Sequence, residues 1–363
     1  MSRLYFLFLF LTLAESYKIA IIISDVSGSQ ILFCQRIAET LADAGHNVTL
    51  FRLRLLDYKD VKANTRSDIQ EYVAYGSNKD PESLTAFMKD QIGSNFQQSP
   101  LSAFRSESGS PMKFIGTVTN SCGIAIKDKE LIHRLQNGNF DVVMAHALDF
   151  CPVGLVHVTG NPAWVSLNSG PLFDHYAYYM GLRMPASYSP PILMDSGDRM
   201  SFGKRFKSII GHTITPWAVR KIFIEAENQQ FKETFGEDFP DLEDIAKTAQ
   251  LIFVNTNDLY DLPKPLLTKI INVGGLGVKP INAKPLPKEY AELVDKAENV
   301  VIFSFGSIAN ASWMSDEWKR AFMDAFAKFP KTQFFMRYST NDMDDYKPKN
   351  VFLTKWLPQN DLL

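Results

Sequence analysis

Short unbroken apolar runs alternate with amphipathic stretches along most of the chain. Lys18–Ser24 (Lys-Ile-Ala-Ile-Ile-Ile-Ser) predicts a strand buried on both faces. Gly28-Ser29 makes the turn after it. Phe33, Ile37 and Leu41 then recur at i+4 spacing, which predicts a helix over 31–44 ended by Gly45. Val48–Leu53 predicts the next strand. A strand, a helix and a second strand within roughly 35 residues form the βαβ nucleus of a Rossmann-like domain. Asp141–Ala145, Trp164–Leu167 and Leu251–Thr256 predict further buried strands. Lys59–Gly123 is polar and irregular, with the character of long binding or covering loops.

The same alternation returns near the C-terminus. Val300–Phe305 predicts a buried strand that stops at Gly306-Ser307, where a backbone can approach a ligand closely. A helix is expected over Ser315–Phe329, with Trp318, Phe322, Phe326 and Phe329 as its apolar stripe and Asp316 and Glu317 in its first turn. Strands follow at Gln333–Tyr338 and Val351–Thr354. Lys279–Lys288 carries Pro280, Pro285 and Pro287 and predicts a linker. The fold class is therefore α/β: two Rossmann-like domains, residues 17–278 and 289–363, joined through 279–288.

Composition narrows the function. A chain of 363 residues with 45% hydrophobic content has room for two cores. A net charge of −2 argues against nucleic acid as a partner. Met1–Ser16 has the three parts of a secretory signal peptide: Arg3, the apolar run Leu4–Leu13 and the small-x-small site Ala14-Glu15-Ser16. That predicts the endoplasmic reticulum lumen or membrane. Among the three cysteines, Cys34 reads as a buried thiol, and a Cys122–Cys151 bridge stays open. Asn47-Val-Thr49 and Asn310-Ala-Ser312 are glycosylation sequons, and Asn310 is the better candidate because Asn47 opens a buried-type strand. Arg199–Ile224 holds Arg199, Lys204, Arg205, Lys207, Arg220 and Lys221 and no acidic residue. We expect a half-buried helix with a solvated basic face; the alternative is peripheral contact with a membrane surface. A dinucleotide site is excluded, because Ser27-Gly28-Ser29-Gln30 lacks G-x-G-x-x-G and Gly274-Gly275-Leu-Gly277 runs into Pro280. No metal-ligand spacing is visible.

Three sets of residues carry a family resemblance. Ile37-Ala38-Glu-Thr-Leu41 followed by Gly45-His46-Asn-Val48-Thr49 is the first. Pro185–Pro190 and Asp198–Arg205 are the second. Phe305-Gly306-Ser307 with Trp356-x-Pro358-Gln359-x-Asp361-Leu362-Leu363 is the third. Together they resemble the UDP-glycosyltransferases, specifically animal UDP-glucuronosyltransferases, over essentially the whole mature chain. The resemblance implies a GT-B fold with its C-terminal domain incomplete, because the rest of the donor signature and a transmembrane helix would lie beyond Leu363. It implies inverting transfer of glucuronic acid or another hexose from a UDP-sugar, the co-substrate, to a small lipophilic acceptor, with no bound cofactor and no metal. It implies that Trp356 stacks on uracil, that Gln359 engages uracil or ribose, and that Gly306 and Ser307 contact the diphosphate or sugar. The family's catalytic histidine is Gln30 here, and its supporting acidic position is His146. Either His146 has become the base, with Gln30 or Asp149 as its partner, or the chain is a non-catalytic acceptor-binding protein or a homo- or heterodimer partner of family members.

Overall fold

A computed structural model describes residues 16–55, 66–76, 111–160, 163–192, 194–276, 285–306 and 309–362. The signal-peptide stretch up to residue 15, residues 279–284 of the expected linker and Ser307 lie outside the described residues. Lys288, expected to end the linker, opens a helix instead.

The isoleucines of β1 (Lys18–Ser24) explain why the first sheet forms around that strand. Ile19, Ile21 and Ile23 face one hydrophobic layer, Ala20 and Ile22 the other, and none is more than 4% exposed. Such two-sided burial suits the centre of a parallel sheet. β2 (Asn47–Arg54), β3 (Gln70–Tyr75), β4 (Val142–His146), β5 (Ala163–Asn168), β6 (Leu251–Val254) and β7 (Ile270–Asn272) complete seven parallel strands in the order β3-β2-β1-β4-β5-β6-β7. Helix α1 (Gly28–Asp43) covers the Ile19–Ile21–Ile23 face. The other face is covered chiefly by α2 (Pro111–Ala125), α3 (Lys129–Gln136), α4 (Cys151–Val158), α5 (Asp174–Tyr179), α7 (Glu225–Phe235) and α8 (Leu242–Lys247). Helix α6 (Phe202–Val219) precedes α7 and runs into it through a π-turn, Arg220–Ile224. A disulfide joins Cys122 of α2 to Cys151, the first residue of α4. Cys34 is buried and free.

Two strands were not expected. β3 arises inside the polar stretch 59–123, held by parallel pairing to β2 and by an Arg52–Glu71 ion pair at 2.9 Å. β7 is only three residues long and pairs with β6.

The second sheet holds β8 (Asn299–Phe303), β9 (Thr332–Arg337) and β10 (Val351–Thr354) in the parallel order β10-β9-β8. β8 was expected to be buried, but Val300 and Val301 are exposed because the strand is an edge of this sheet. Helices α9 (Lys288–Val294) and α10 (Asp316–Ala327) flank the sheet. The Ser315 hydroxyl caps α10 by accepting the Trp318 N–H. Its core face differs from the expected stripe: Met323 and Phe326 are buried with the stem of Lys319, while Trp318 and Phe329 are exposed. Lys319 tolerates burial because its ammonium reaches Asp342 at 2.8 Å.

The two sequon asparagines sit differently. Asn47 is exposed at the mouth of β2, whereas the Asn310 amide donates to Ser339 Oγ at 2.6 Å and its oxygen accepts the Ser312 N–H.

Candidate functional site

In the first sheet β1 is internal, and the chain winds away from it in both directions. The crevice between the C-terminal ends of β1 and β4 is therefore a topological switch point, where open α/β sheets bind ligands. Gln30 lies in the first turn of α1 just past β1, His146 is the last residue of β4, and Asp149 follows three residues on. All three are buried.

The hydrogen bonds of His146 differ from the expected pairing with Gln30 or Asp149. Its Nδ1 accepts the Leu148 N–H at 3.4 Å, which puts the ring proton on Nε2, 3.1 Å from Ser169 Oγ. The strand register explains the partner: His146 lies opposite Leu167 of β5, so the chain just past β5 runs beside the ring. Burial holds the imidazole near a pKa of about 4, so it is neutral at physiological pH. Both ring nitrogens are occupied in this arrangement.

Asp149 is held elsewhere. Its Oδ1 accepts from Ser24 Oγ at 2.9 Å and from the Cys151 N–H at 3.2 Å. Glu227, reaching across from α7, accepts the Phe150 N–H at 2.9 Å. Two buried carboxyls thus converge on the start of α4. Burial raises both carboxyls, and the charge of Asp149 raises Glu227 further, while the hydrogen bonds from Ser24 and Cys151 pull Asp149 back down. Among the described residues, Asp149 Oδ2, Glu227 Oε1 and Gln30 Oε1 are buried without a hydrogen-bond partner. Sequence reasoning missed Glu227, because nothing local in α7 marks it as interior.

Two abutting cavities open on the loops that follow β5 and β6, about 260 and 210 Å³ in volume. They share Leu172, Asp261, Leu262 and Lys264, and the smaller adds Phe173, Pro191 and Met194. The smaller is lined mostly by apolar side chains, whereas the larger mixes Leu172, Leu262, Pro263 and Leu266 with Thr256, Asp258, Asp261, Lys264 and Asn272.

In the second sheet the expected donor residues gather at the C-terminal strand ends. Gly306, just past β8, is exposed and has φ of +82°, a conformation that favours glycine. Trp356, just past β10, leaves 67% of its surface exposed, while its neighbour Leu357 is buried with Tyr290 of α9 and Phe335. The Tyr290 hydroxyl donates to Thr354 Oγ1 and the Trp356 carbonyl, both at 3.2 Å, and fixes this turn. Gln359 is exposed at the start of the last short helix, α11 (Gln359–Leu362).

Arg337 joins these parts and was not foreseen. It ends β9, between β8 and β10. Its guanidinium lies 5.2 Å from the Trp356 ring centroid and donates to the Gly306 and Lys355 carbonyls. Burial pulls its pKa below the usual arginine value. A cation, a glycine turn and an exposed indole at neighbouring strand ends suit a phosphate-bearing ligand with a flat base. Among the described residues no group of three or more His, Cys, Asp or Glu side chains is arranged to hold a metal ion.

A family model described as UDP-glucoronosyl and UDP-glucosyl transferase matches residues 19–363. Similar proteins include ugt-47 of Caenorhabditis elegans, named as a UDP-glucuronosyltransferase, at 29% identity over 96% of this chain and 64% of its own length. UDP-glucuronosyltransferase 3A1 of Bos taurus is 28% identical over 97% of this chain and 65% of its length. The chain thus spans a little under two thirds of the length of these relatives. Among solved structures, a Phytolacca americana glycosyltransferase complexed with UDP-2-fluoro-glucose and pterostilbene superposes with a TM-score of 0.51 at 14% identity, covering 94% of this chain and 72% of that one. The glycotransferase of kitacinnamycin gives 0.53 at 12% identity, covering 95% and 72%. These likenesses establish the GT-B fold.

Proposed function

The chain belongs to the UDP-glucoronosyl and UDP-glucosyl transferase family, and from that premise we propose that it serves transfer of glucuronic acid or another hexose from a UDP-sugar to a small lipophilic acceptor. The observation that carries this reading is the cluster of strand ends where Arg337 bridges the Gly306 turn and the exposed indole of Trp356. Trp356 stacks on uracil, Gln359 engages the uracil or ribose, and Gly306 with its neighbour Ser307 meets the diphosphate or sugar. The acceptor enters the two cavities bordered by Leu172 and Leu262, its apolar part towards the smaller, mostly apolar one.

In the reaction an acceptor hydroxyl forms a bond to C1, the C1–O bond to the diphosphate breaks, and the hydroxyl proton passes to a base. His146 takes that proton only by giving up the Leu148 N–H at Nδ1 or by passing its Nε2 proton towards Ser169. Asp149 and Gln30 border the same crevice. If His146 is the base, His146→Ala abolishes transfer and Gln30→Ala does not; equal activity of His146→Ala and wild type would sink that role. The engaged ring nitrogens of His146 favour a second reading, a non-catalytic acceptor-binding relative. Titration with UDP-glucuronate separates the two. The enzyme reading expects binding that Trp356→Ala weakens by about 1–3 kcal/mol, the worth of base–aromatic stacking. Absence of binding by the wild-type chain would overturn it.

We place the protein in the secretory pathway, with glycosylation at Asn47 and peripheral membrane contact through residues 199–224. A Cys122–Cys151 bridge suits an oxidising compartment. Among the described residues no helix is long and apolar enough to cross a membrane.

A further inference from the structure

Helix α6 is amphipathic the wrong way round for a core helix. Its buried side is small and polar. Ser208 is fully buried. Gly211 lies so close to Pro191 that an added Cβ would meet its Cγ at 2.5 Å. His212 donates to the Ser189 carbonyl at 2.8 Å and pairs with Asp174 at 2.5 Å. These contacts fix which face is turned inward.

The outward face is apolar. Phe202, Phe206, Ile209, Ile210, Ile214 and Trp217 recur at helical spacing, and their exposures are 87, 59, 55, 43, 50 and 61%. This overturns the expected half-buried helix with a solvated basic face. Only Ser208 of the helix is buried, and the large side chains point to solvent. At 100° per residue, Arg205 and Lys207 fall on opposite borders of the apolar stripe. Lys204, beyond the Lys207 border, donates to the Asp195 carbonyl at 2.9 Å. No acidic residue occurs between Arg199 and Ile224.

That charge pattern selects the occupant. A second copy meeting this face across a two-fold axis would bring like-charged borders together. An anionic bilayer satisfies both parts at once: acyl chains accept the aromatic and aliphatic groups, and headgroups accept the flanking cations. We propose that Phe202–Val219 is a lipid-docking helix. It lies in the plane of an anionic membrane surface with Phe202, Phe206, Ile210 and Trp217 below the headgroups and Arg205 and Lys207 among them. This rests on the membrane contact proposed above and names its side chains and the lipid charge it requires.

The test is flotation of the full chain with vesicles of phosphatidylcholine alone or with about three parts in ten phosphatidylserine. Wild type, Phe206→Glu with Trp217→Glu, and Lys207→Glu are compared. Because all three positions face solvent, matched thermal unfolding curves certify the fold of the variants. Wild type is expected on anionic vesicles and largely absent from neutral ones. Lys207→Glu lowers the partition constant onto anionic vesicles at least about fivefold, the effect of one basic residue at such a surface. The double variant loses binding. Flotation of the double variant equal to wild type would show that another surface, including the apolar N-terminal run shared by all three proteins, makes the contact, leaving membrane binding intact and α6 excluded. Equal binding of wild type to both vesicle types would overturn the charge requirement. Absence of wild-type binding would remove the membrane contact itself. Wild-type self-association abolished by the double variant would assign the face to a second copy.

Discussion

Replacing Cys122 and Cys151 together by alanine tests how the first domain holds its crevice. The bridge spans 29 residues and ties α2 to the first residue of α4. In the chain-entropy description, cross-linking removes −2.1 − 1.5R ln n of unfolded-state entropy. For n of 29 this is about 12 cal/mol/K, or about 3.6 kcal/mol at 25 °C. In a domain of this size each kcal/mol moves the midpoint by about 2–4 °C, so Tm should fall by about 7–14 °C. The assay is thermal unfolding by circular dichroism of wild type, the double variant, and Cys34→Ala as a control that spares the bridge. Hydrogen exchange over 149–156 adds a local readout, because Asp149 accepts the Cys151 N–H. A shift below about 2 °C, with exchange unchanged, would refute the reasoning.

Three further outcomes follow from particular contacts. His212 has a raised pKa: burial pulls it down, but hydrogen bonds to Asp174 and Ser189 outweigh that. The stability it lends to α6 is fully present below about pH 6.5 and is lost as pH rises through the raised value. Amide exchange over 202–212, corrected for intrinsic rate, should therefore be slower at pH 6 than at pH 8.5, and His212→Gln should remove the difference. Glu227 is raised by burial and by Asp149, so the folded state holds a proton that the unfolded chain releases, and stability falls as pH rises above the ordinary carboxyl range. Glu227→Gln keeps an acceptor for Phe150 and should flatten that slope, leaving the variant more stable than wild type at pH 8 in urea titrations. Gly154→Val should cost at least about 1–3 kcal/mol, since even a Cβ at this position would stand 2.3 Å from Phe231 Cζ; unchanged urea midpoints would count against that packing.

Local pattern carried as far as it could. β1, α1 and β2 were legible because every apolar position in β1 is buried and the helix repeats at i+4. β3 was not, because Gln-Glu-Tyr-Val-Ala-Tyr has no unbroken apolar run and is held at a sheet edge by β2 and Arg52. The periodicity of α6 was visible too. Which side of a helix is covered, however, depends on its neighbours, and Pro191 and Ser189 cover the small side. The expected donor residues Gly306, Trp356 and Gln359 came from the family motif; the structure places Gly306 and Trp356 just past strand ends and Gln359 at the start of α11. Arg337 and Glu227 escaped because their roles come only from tertiary placement. The Ser169 partner of His146 escaped for the same reason, being set by the β4–β5 register.

Helix α6, the π-turn and α7 follow one another without a loop from Phe202 to Phe235, a strut about 50 Å long at 1.5 Å per residue. Pro216 withholds one backbone donor, and the wider π ring that follows, closed by the Glu225 N–H on the Arg220 carbonyl, is the compliant point. Arg220 clamps that point to Asp241 at 2.8 Å and to Glu243 at 2.6 Å. Beyond it stands Glu227, hydrogen-bonded to the backbone beside Asp149. The exposed aromatic stripe of α6 and the buried Glu227 of α7 therefore lie along one continuous strut, on either side of a π-turn that ion pairs hold in place.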